Sequence, residues 1–237
     1  MQRYFTDKRV DNEFILNDDD LYHIRTVMRM KDNDQIIVVM DKKAYLCCLE
    51  SVKENIKILI KKELPKVDYN TPDVTLIIPI LKEQKMDLIL QKATELGVSK
   101  IIPIITKRSI VKVNETSSDK KIIRWQRIVK EASEQSHRVE IPEVTSIKTI
   151  DDLENMIGFN LVCSTKEKVK NIKLVMKNVK TCDKINLVIG PEGGLDEKEE
   201  EKLNKLGFES ITLGNRIMRV ETVPLFLLSI INYEFME

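Results

Sequence analysis

Glycine is scarce in this 237-residue chain: it has seven, and five of them fall between positions 190 and 214. Glycine permits positive φ and close approach of backbone to a ligand, so a chain this poor in it marks a candidate site by clustering it. Cysteine is sparse too. Cys47, Cys48, Cys163 and Cys182 show no C-x-x-C spacing, and with only two histidines no zinc cluster can be assembled, so no metal is expected. The pattern reads as reduced, intracellular thiols, hence a cytoplasmic protein. There is no N-terminal apolar segment and no long apolar run, which argues against secretion and membrane insertion. The formal net charge of +1 denies the chain a global basic field. Charge is unevenly spread, however: residues 1–70 balance at zero, 71–145 carry +3 and 146–237 carry −2. Excess positive charge therefore sits in the middle.

The length suits one large domain or a small one followed by a larger one. Residues 1–66 hold short apolar or alternating runs at 13–16, 35–40, 44–49 and 56–60, which predict strands of a small β-barrel. A helix is predicted over 18–30, with Asn17 as its cap and Asp18, Asp19 and Asp20 in its first turn. A polar stretch with two prolines, 65–72, reads as a linker, which gives domains at 1–68 and 73–237. Beyond it strands and helices alternate. Strands are predicted at 74–80, 100–105, 161–163, 185–189 and 210–213, and helices at 82–96, 119–138, 166–177, 196–206 and 223–235. Such alternation means a parallel sheet covered by helices, an α/β fold.

Most of the unusual chemistry lies in two loops. Gly190-Pro191-Glu192-Gly193-Gly194 follows one predicted strand, and Leu213-Gly214-Asn215-Arg216-Ile217-Met218-Arg219-Val220-Glu221-Thr222 follows another. Loops leaving neighbouring strand ends face one crevice, the usual ligand position in an open α/β sheet. Neither loop carries G-x-G-x-x-G or G-x-x-x-x-G-K-[ST], which excludes a dinucleotide dehydrogenase and a P-loop enzyme. Pro191 lacks a backbone donor, and Glu192 with the acidic helix beyond it sets carboxylates where a phosphate needs cations. The ligand expected here is neutral or positive.

The two loops resemble those of the SPOUT superfamily of S-adenosylmethionine-dependent RNA methyltransferases, specifically the RsmE-type enzymes that methylate a uridine of 16S ribosomal RNA. Residues 190–194 match that family's GPEGG loop fully. Residues 213–223 match its LGxRILRxETA loop with Met218 for leucine and Val223 for alanine. Lys92-Ala93-Thr94-Glu95-Leu96-Gly97-Val98, Ala132-Ser133-Glu134-Gln135-Ser136-His137-Arg138 and His23-Ile24-Arg25-Thr26-Val27-Met28-Arg29 are similar to three further family segments, although Asn33 stands where glycine is usual. The likeness spans nearly the whole chain. It implies a PUA-like N-terminal barrel, a C-terminal trefoil knot in the catalytic domain, a homodimer, and methyl transfer to the ring imide nitrogen (position 3) of a uridine in the small-subunit RNA. A SPOUT enzyme acting on transfer RNA ribose, or a ribosome-binding module without catalysis, are the alternatives.

The resemblance assigns the cofactor contacts to Gly190, Pro191, Glu192, Gly193 and Gly194, and to Leu213, Gly214, Ile217 and Met218, with Ser164 and Thr165 as a third wall. Uracil's imide must lose a proton, and a nearby cation favours the resulting anion. Arg108, Arg138 and Arg219 are candidates for that role, with Gln135 orienting the base and Glu221 orienting an arginine or accepting a proton. Each arginine could instead hold phosphate or buttress a loop. Candidate RNA contacts are Lys107 in the basic stretch 106–112, and Lys120, Lys121, Arg124 and Arg127 along an amphipathic helix whose other face carries Ile122, Trp125, Val129 and Ala132. Arg3, Arg9, Arg25 and Arg29 would extend that surface. The last helix, with Val223, Leu225, Phe226, Leu227, Leu228, Ile230 and Ile231, is apolar nearly all round, so it is either core or interface.

Overall fold

The structure is a computed structural model that describes the whole chain except residues 54, 67–70, 110, 112–114 and 237, with backbone alone for 115–117. Most of the expected linker, and Ile110 and Lys112 of the basic stretch, thus lie outside the described residues. The chain divides into two compact units, Met1–Asp68 with Ser133–Ile141, and Tyr69–Ala132 with Pro142–Glu237. Residues 133–141, assigned from the sequence to the second domain, group with the first unit.

The first unit is a six-stranded sheet in the order β1 (Arg3–Phe5), β4 (Gln35–Met40), β5 (Lys43–Glu50), β6 (Lys57–Glu63), β3 (Glu13–Ile15), β2 (Lys8–Val10). All neighbours pair antiparallel except β1 and β4. Asp41 and Lys42 close the β4–β5 hairpin with φ of 49° and 62°, the two-residue turn whose twist suits the flanking strands. Tyr4, Phe14, Ile24, Ile36, Val38, Cys47, Leu49 and Ile58 form the core. Strands β1 and β2 were not expected, since three-residue edge segments rich in charge carry no apolar alternation.

The helix expected over 18–30 is shorter and changes type. It is α-helical only over Asp18–Tyr22 (α1) and continues as a π-turn, His23–Val27, before Arg29 takes a φ of 51°. Tertiary ties set this geometry: Ile24 is buried in the core, the His23 ring pairs with the Tyr4 hydroxyl at 3.0 Å, and Arg25 Nε donates to the Val52 carbonyl at 2.9 Å. The N-terminal end follows the sequence, with Asn17 Oδ1 accepting from the Asp20 amide at 2.8 Å.

The second unit is an all-parallel sheet in the order β12 (Glu209–Ile211), β10 (Phe159–Cys163), β11 (Lys184–Val188), β7 (Asp73–Pro79), β8 (Lys100–Ile104), β9 (Glu143–Val144). The strands are near-continuous apolar runs, as covering of both faces requires. Helices α2 (Glu83–Glu95), α3 (Glu115–Gln135), α5 (Glu197–Lys205) and α6 (Thr222–Phe235) fall close to expectation. The helix expected over 166–177 shrinks to α4, Ile172–Met176. Glu167 is the reason: one of its carboxylate oxygens accepts from the amides of Lys168, Val169 and Lys170, folding that segment into a tight loop. No helix among the described residues is long and apolar enough to cross a membrane. The chain leaves β7 for β8 on one side and later fills β11 and β10 on the other, so the strand order reverses at β7.

Candidate functional site

A cleft of about 520 Å³ opens at the C-terminal ends of β10, β11 and β12. Three loops wall it: Ser164 and Thr165 after β10, Gly190 to Leu195 after β11, and Thr212 to Val220 after β12, with Lys85 from α2 and Val223 from α6 completing it. The register puts these loops side by side, because Leu161 pairs with Leu187 on one side and with Glu209 on the other.

Local rules shape the β11 loop. A β-carbon on Gly190 would stand 3.0 Å from the Leu195 amide nitrogen and 3.2 Å from its Cγ, so any side chain there crowds the loop where it closes on buried Leu195. Gly194 has a φ of +71°, and its amide donates to the Pro191 carbonyl at 2.8 Å, closing the turn. Asp196 then caps α5 in a capping box with Glu199. Lys107, first, and the Lys198 amide hold the Asp196 carboxyl below its ordinary value.

Of the residues assigned to cofactor contacts, Ser164, Thr165, Gly190, Pro191, Glu192, Gly194, Leu213, Gly214, Ile217 and Met218 all line the cleft. Gly193 does not appear in its wall. A β-carbon there would lie 3.5 Å from Arg108 Cδ, so the residue faces that side chain. Arg108 itself donates from Nη1 to the Gly193 carbonyl at 2.7 Å, which makes it a buttress of the loop. Among the candidates for catalysis, Arg219 lines the cleft, while Glu221 caps α6 at its rim. Gln135 and Arg138 belong to the segment that groups with the first unit, where the Arg138 carbonyl accepts from Arg3 Nη1 at 2.8 Å.

Several expected RNA-contacting cations already have protein partners. Arg3 holds the 137–138 backbone, Arg25 the Val52 carbonyl, and Lys107 Nζ lies 3.0 Å from Asp196. Arg124 pairs in fork geometry with Asp87, and Arg127 lies 2.9 Å from Glu131. Arg29 and Lys120 are exposed, and Lys121 is half-buried. Trp125 is buried with Val129 and Ala132, as the helical spacing required, whereas Ile122 is only partly so.

Lining residues to which the sequence assigned no role in the site include Lys85, Cys163, Lys168 and Leu195. Burial alone pushes the Cys163 thiol up to about 12, so it sits in the wall as a neutral group. Ser164 is buried and its hydroxyl lies 3.3 Å from Glu200 Oε1. Glu200 belongs to the acidic helix that the sequence sets just beyond the loop. Lys85 carried no such signal among the many lysines of this chain. Its ammonium pairs with Glu192 and stands 3.3 Å from Glu221 Oε2. Those carboxylates raise the Lys85 pKa. Glu221 is held low by a hydrogen bond from its own backbone amide and then by Lys85.

The lining is apolar at Ile189, Leu195, Leu213, Met218, Val220 and Val223, polar at loop backbone and Ser164, acidic at Glu192 and Glu200, and basic at Lys85, Lys168, Arg216 and Arg219. A long, partly apolar molecule that carries charge of both signs fits this lining. Ile217 projects from the β12 loop at 87 % exposure, an apolar side chain left at the cleft's mouth.

Residues 69–232 match the family described as the RNA methyltransferase domain, and residues 16–63 match the RNA methyltransferase PUA domain. The chain belongs to the RNA methyltransferase family. Within that family it is 34 % identical to "Ribosomal RNA small subunit methyltransferase E" of Bacillus subtilis, over 99 % of this chain and 97 % of that protein. It is 36 % identical to the protein of the same name from Mesomycoplasma hyopneumoniae, covering 97 % and 98 %. Among solved structures, the ribosomal RNA small subunit methyltransferase E of Neisseria gonorrhoeae, bound to S-adenosyl methionine, superposes with a TM-score of 0.86 at 31 % identity, covering 98 % and 97 %. The cleft of this methyltransferase-family chain is thus built from the two loops that carried the likeness.

Proposed function

We propose that this chain transfers the methyl group of S-adenosylmethionine to the ring imide nitrogen, position 3, of a uridine in small-subunit ribosomal RNA. The observation that supports it best is the cleft itself, walled by both glycine-bearing loops at the strand ends. S-adenosylmethionine supplies a methyl group activated on a cationic sulfur. The backbone at Gly190, Gly194 and Gly214, with Leu213 and Met218, would hold its adenosine part. Ser164 and Glu200 lie where a positively charged group is welcome.

Transfer requires the imide nitrogen free of its proton and aligned with the methyl carbon. Arg219 is the cation in the cleft wall best disposed to favour the imide anion, its charge acting in a site from which bound ligands exclude water. Arg108 acts at one remove, by fixing the Gly193 carbonyl. Residues 1–68 with 133–141 form the PUA-like RNA-binding unit, and the rest of 73–237 the methyltransferase domain, whose C-terminal segment we read as a trefoil knot on the strength of family membership. The working unit is a homodimer. α6 supports this: Leu227, Leu228 and Ile231 are buried, while Phe226 and Tyr233 are 38 % and 76 % exposed.

Purified protein incubated with labelled S-adenosylmethionine and small ribosomal subunits, or their naked RNA, should yield N3-methyluridine in nucleoside digests. Label appearing in another nucleoside, or none with either substrate, overturns the proposal.

A further inference from the structure

Lys85 stands on α2, more than a hundred residues before the two loops its side chain meets. Its ammonium pairs with Glu192 in the β11 loop and stands 3.3 Å from Glu221 Oε2 at the end of the β12 loop. We infer that Lys85 is a positioning residue that ties these two loops together and fixes the cleft between them. The inference rests on the reading of the cleft as the methyl-donor site.

Three observations carry it. Glu221 Oε2 is buried and takes no directed hydrogen bond, so the ammonium is its countercharge, and losing that charge would leave a carboxylate oxygen stranded. Glu221 also stands at the N-terminal end of α6, with helical backbone and no side-chain capping bond, so the ammonium holds its carboxylate beside the start of the last helix. On its other side Lys85 walls a smaller pocket of about 140 Å³ with Ile80, Leu81, Pro191 and Glu192. The Lys85–Glu192 pair thus borders both spaces. Exposed ion pairs contribute little to stability, but a single ammonium serving two loops makes the position of each depend on the other.

The test uses the full-length protein. Lys85→Met keeps the length of the side chain and removes its charge, while Lys85→Arg restores a cation. In the ligand-free protein, amide hydrogen exchange should quicken in both 190–195 and 213–221 for Lys85→Met, and return towards wild type for Lys85→Arg. Affinity for S-adenosylhomocysteine, measured by calorimetry, should fall about tenfold in Lys85→Met, within the range of coupled contacts. Glu192→Gln and Glu221→Gln should each weaken binding in the wild-type background and have no further effect beside Lys85→Met. Faster exchange in only one loop, or glutamine effects that simply add in both backgrounds, would overturn the tie. If Lys85→Met does not fold, Glu192→Gln alone should quicken exchange in 213–221, and failure to do so has the same force. Wild-type protein that binds neither S-adenosylmethionine nor S-adenosylhomocysteine would defeat the proposed function, while the exchange measurement would still decide whether Lys85 couples the loops.

Discussion

Gly190 and Gly193 differ by what stands where a β-carbon would go. At Gly190 that space is filled by the Leu195 backbone, at Gly193 it meets only the side chain of Arg108 at ordinary contact distance. Gly190→Val should therefore displace the loop and abolish S-adenosylhomocysteine binding by calorimetry. Gly193→Ala should keep affinity within about twofold, the scale of an unstrained surface change. Equal losses in the two variants would contradict this geometry. The charges nearby define a pH window. Glu221 titrates below its ordinary 4.5, so its pairing is complete above that pH and lost as pH falls through the lowered native value. Lys85 titrates above 10.5, so its contribution is complete below that pH and lost as pH rises through the raised value. Exchange protection of the two loops should be level between these limits and decline outside them. A midpoint near neutrality would mean that another group governs the loops.

Capping decides several elements, and here the sequence was readable. Asn17 caps as expected and Asp196, expected as the first residue of its helix, caps it, because a short polar side chain beside an acidic first turn satisfies free amides whatever the tertiary context. Asp196→Ala should cost about 1 kcal/mol at the start of α5 and lower the melting temperature by roughly 2–4 °C in a chain of this size. A scanning calorimeter showing no shift would mean that this cap contributes nothing to the stability of α5. Elements shaped by particular side-chain bonds were not readable. The π-turn after α1 is set by the distant Tyr4 and Val52, and the loop before α4 by a local carboxylate, Glu167, collecting three amides. Helical periodicity cannot report either, since both segments carry acceptable helix formers. Lys85 is the same case within the site: its partners are adjacent only because β7 and β11 lie side by side.

At the scale of the whole molecule, alternating apolar runs foretold a parallel sheet, but not the order in which the strands lie or which loops would become neighbours. Both loops of the cleft were nonetheless found, because scarce glycines marked them without any knowledge of strand order. The exposed side of α6 makes an assembly prediction. Light scattering at micromolar concentration should give twice the 27.5 kDa of one chain, and Phe226→Glu should shift the mass towards one chain. A single-chain mass for the wild type, with activity intact, would refute the dimer.

The parallel ladder of β12, β10, β11 and β7 also sets a timetable. The cleft needs Lys85 from early in the chain but cannot close until Thr212 to Val223 has left the ribosome, since those residues form its last wall. Sequence-distant pairings of this kind are made late and slowly. A nascent chain that has passed β11 therefore has its N-terminal sheet residues complete and no place for the ligand, which can stabilise only the finished molecule. The last wall must leave the ribosome before this protein can hold the cofactor with which it would modify the RNA of the machine that made it.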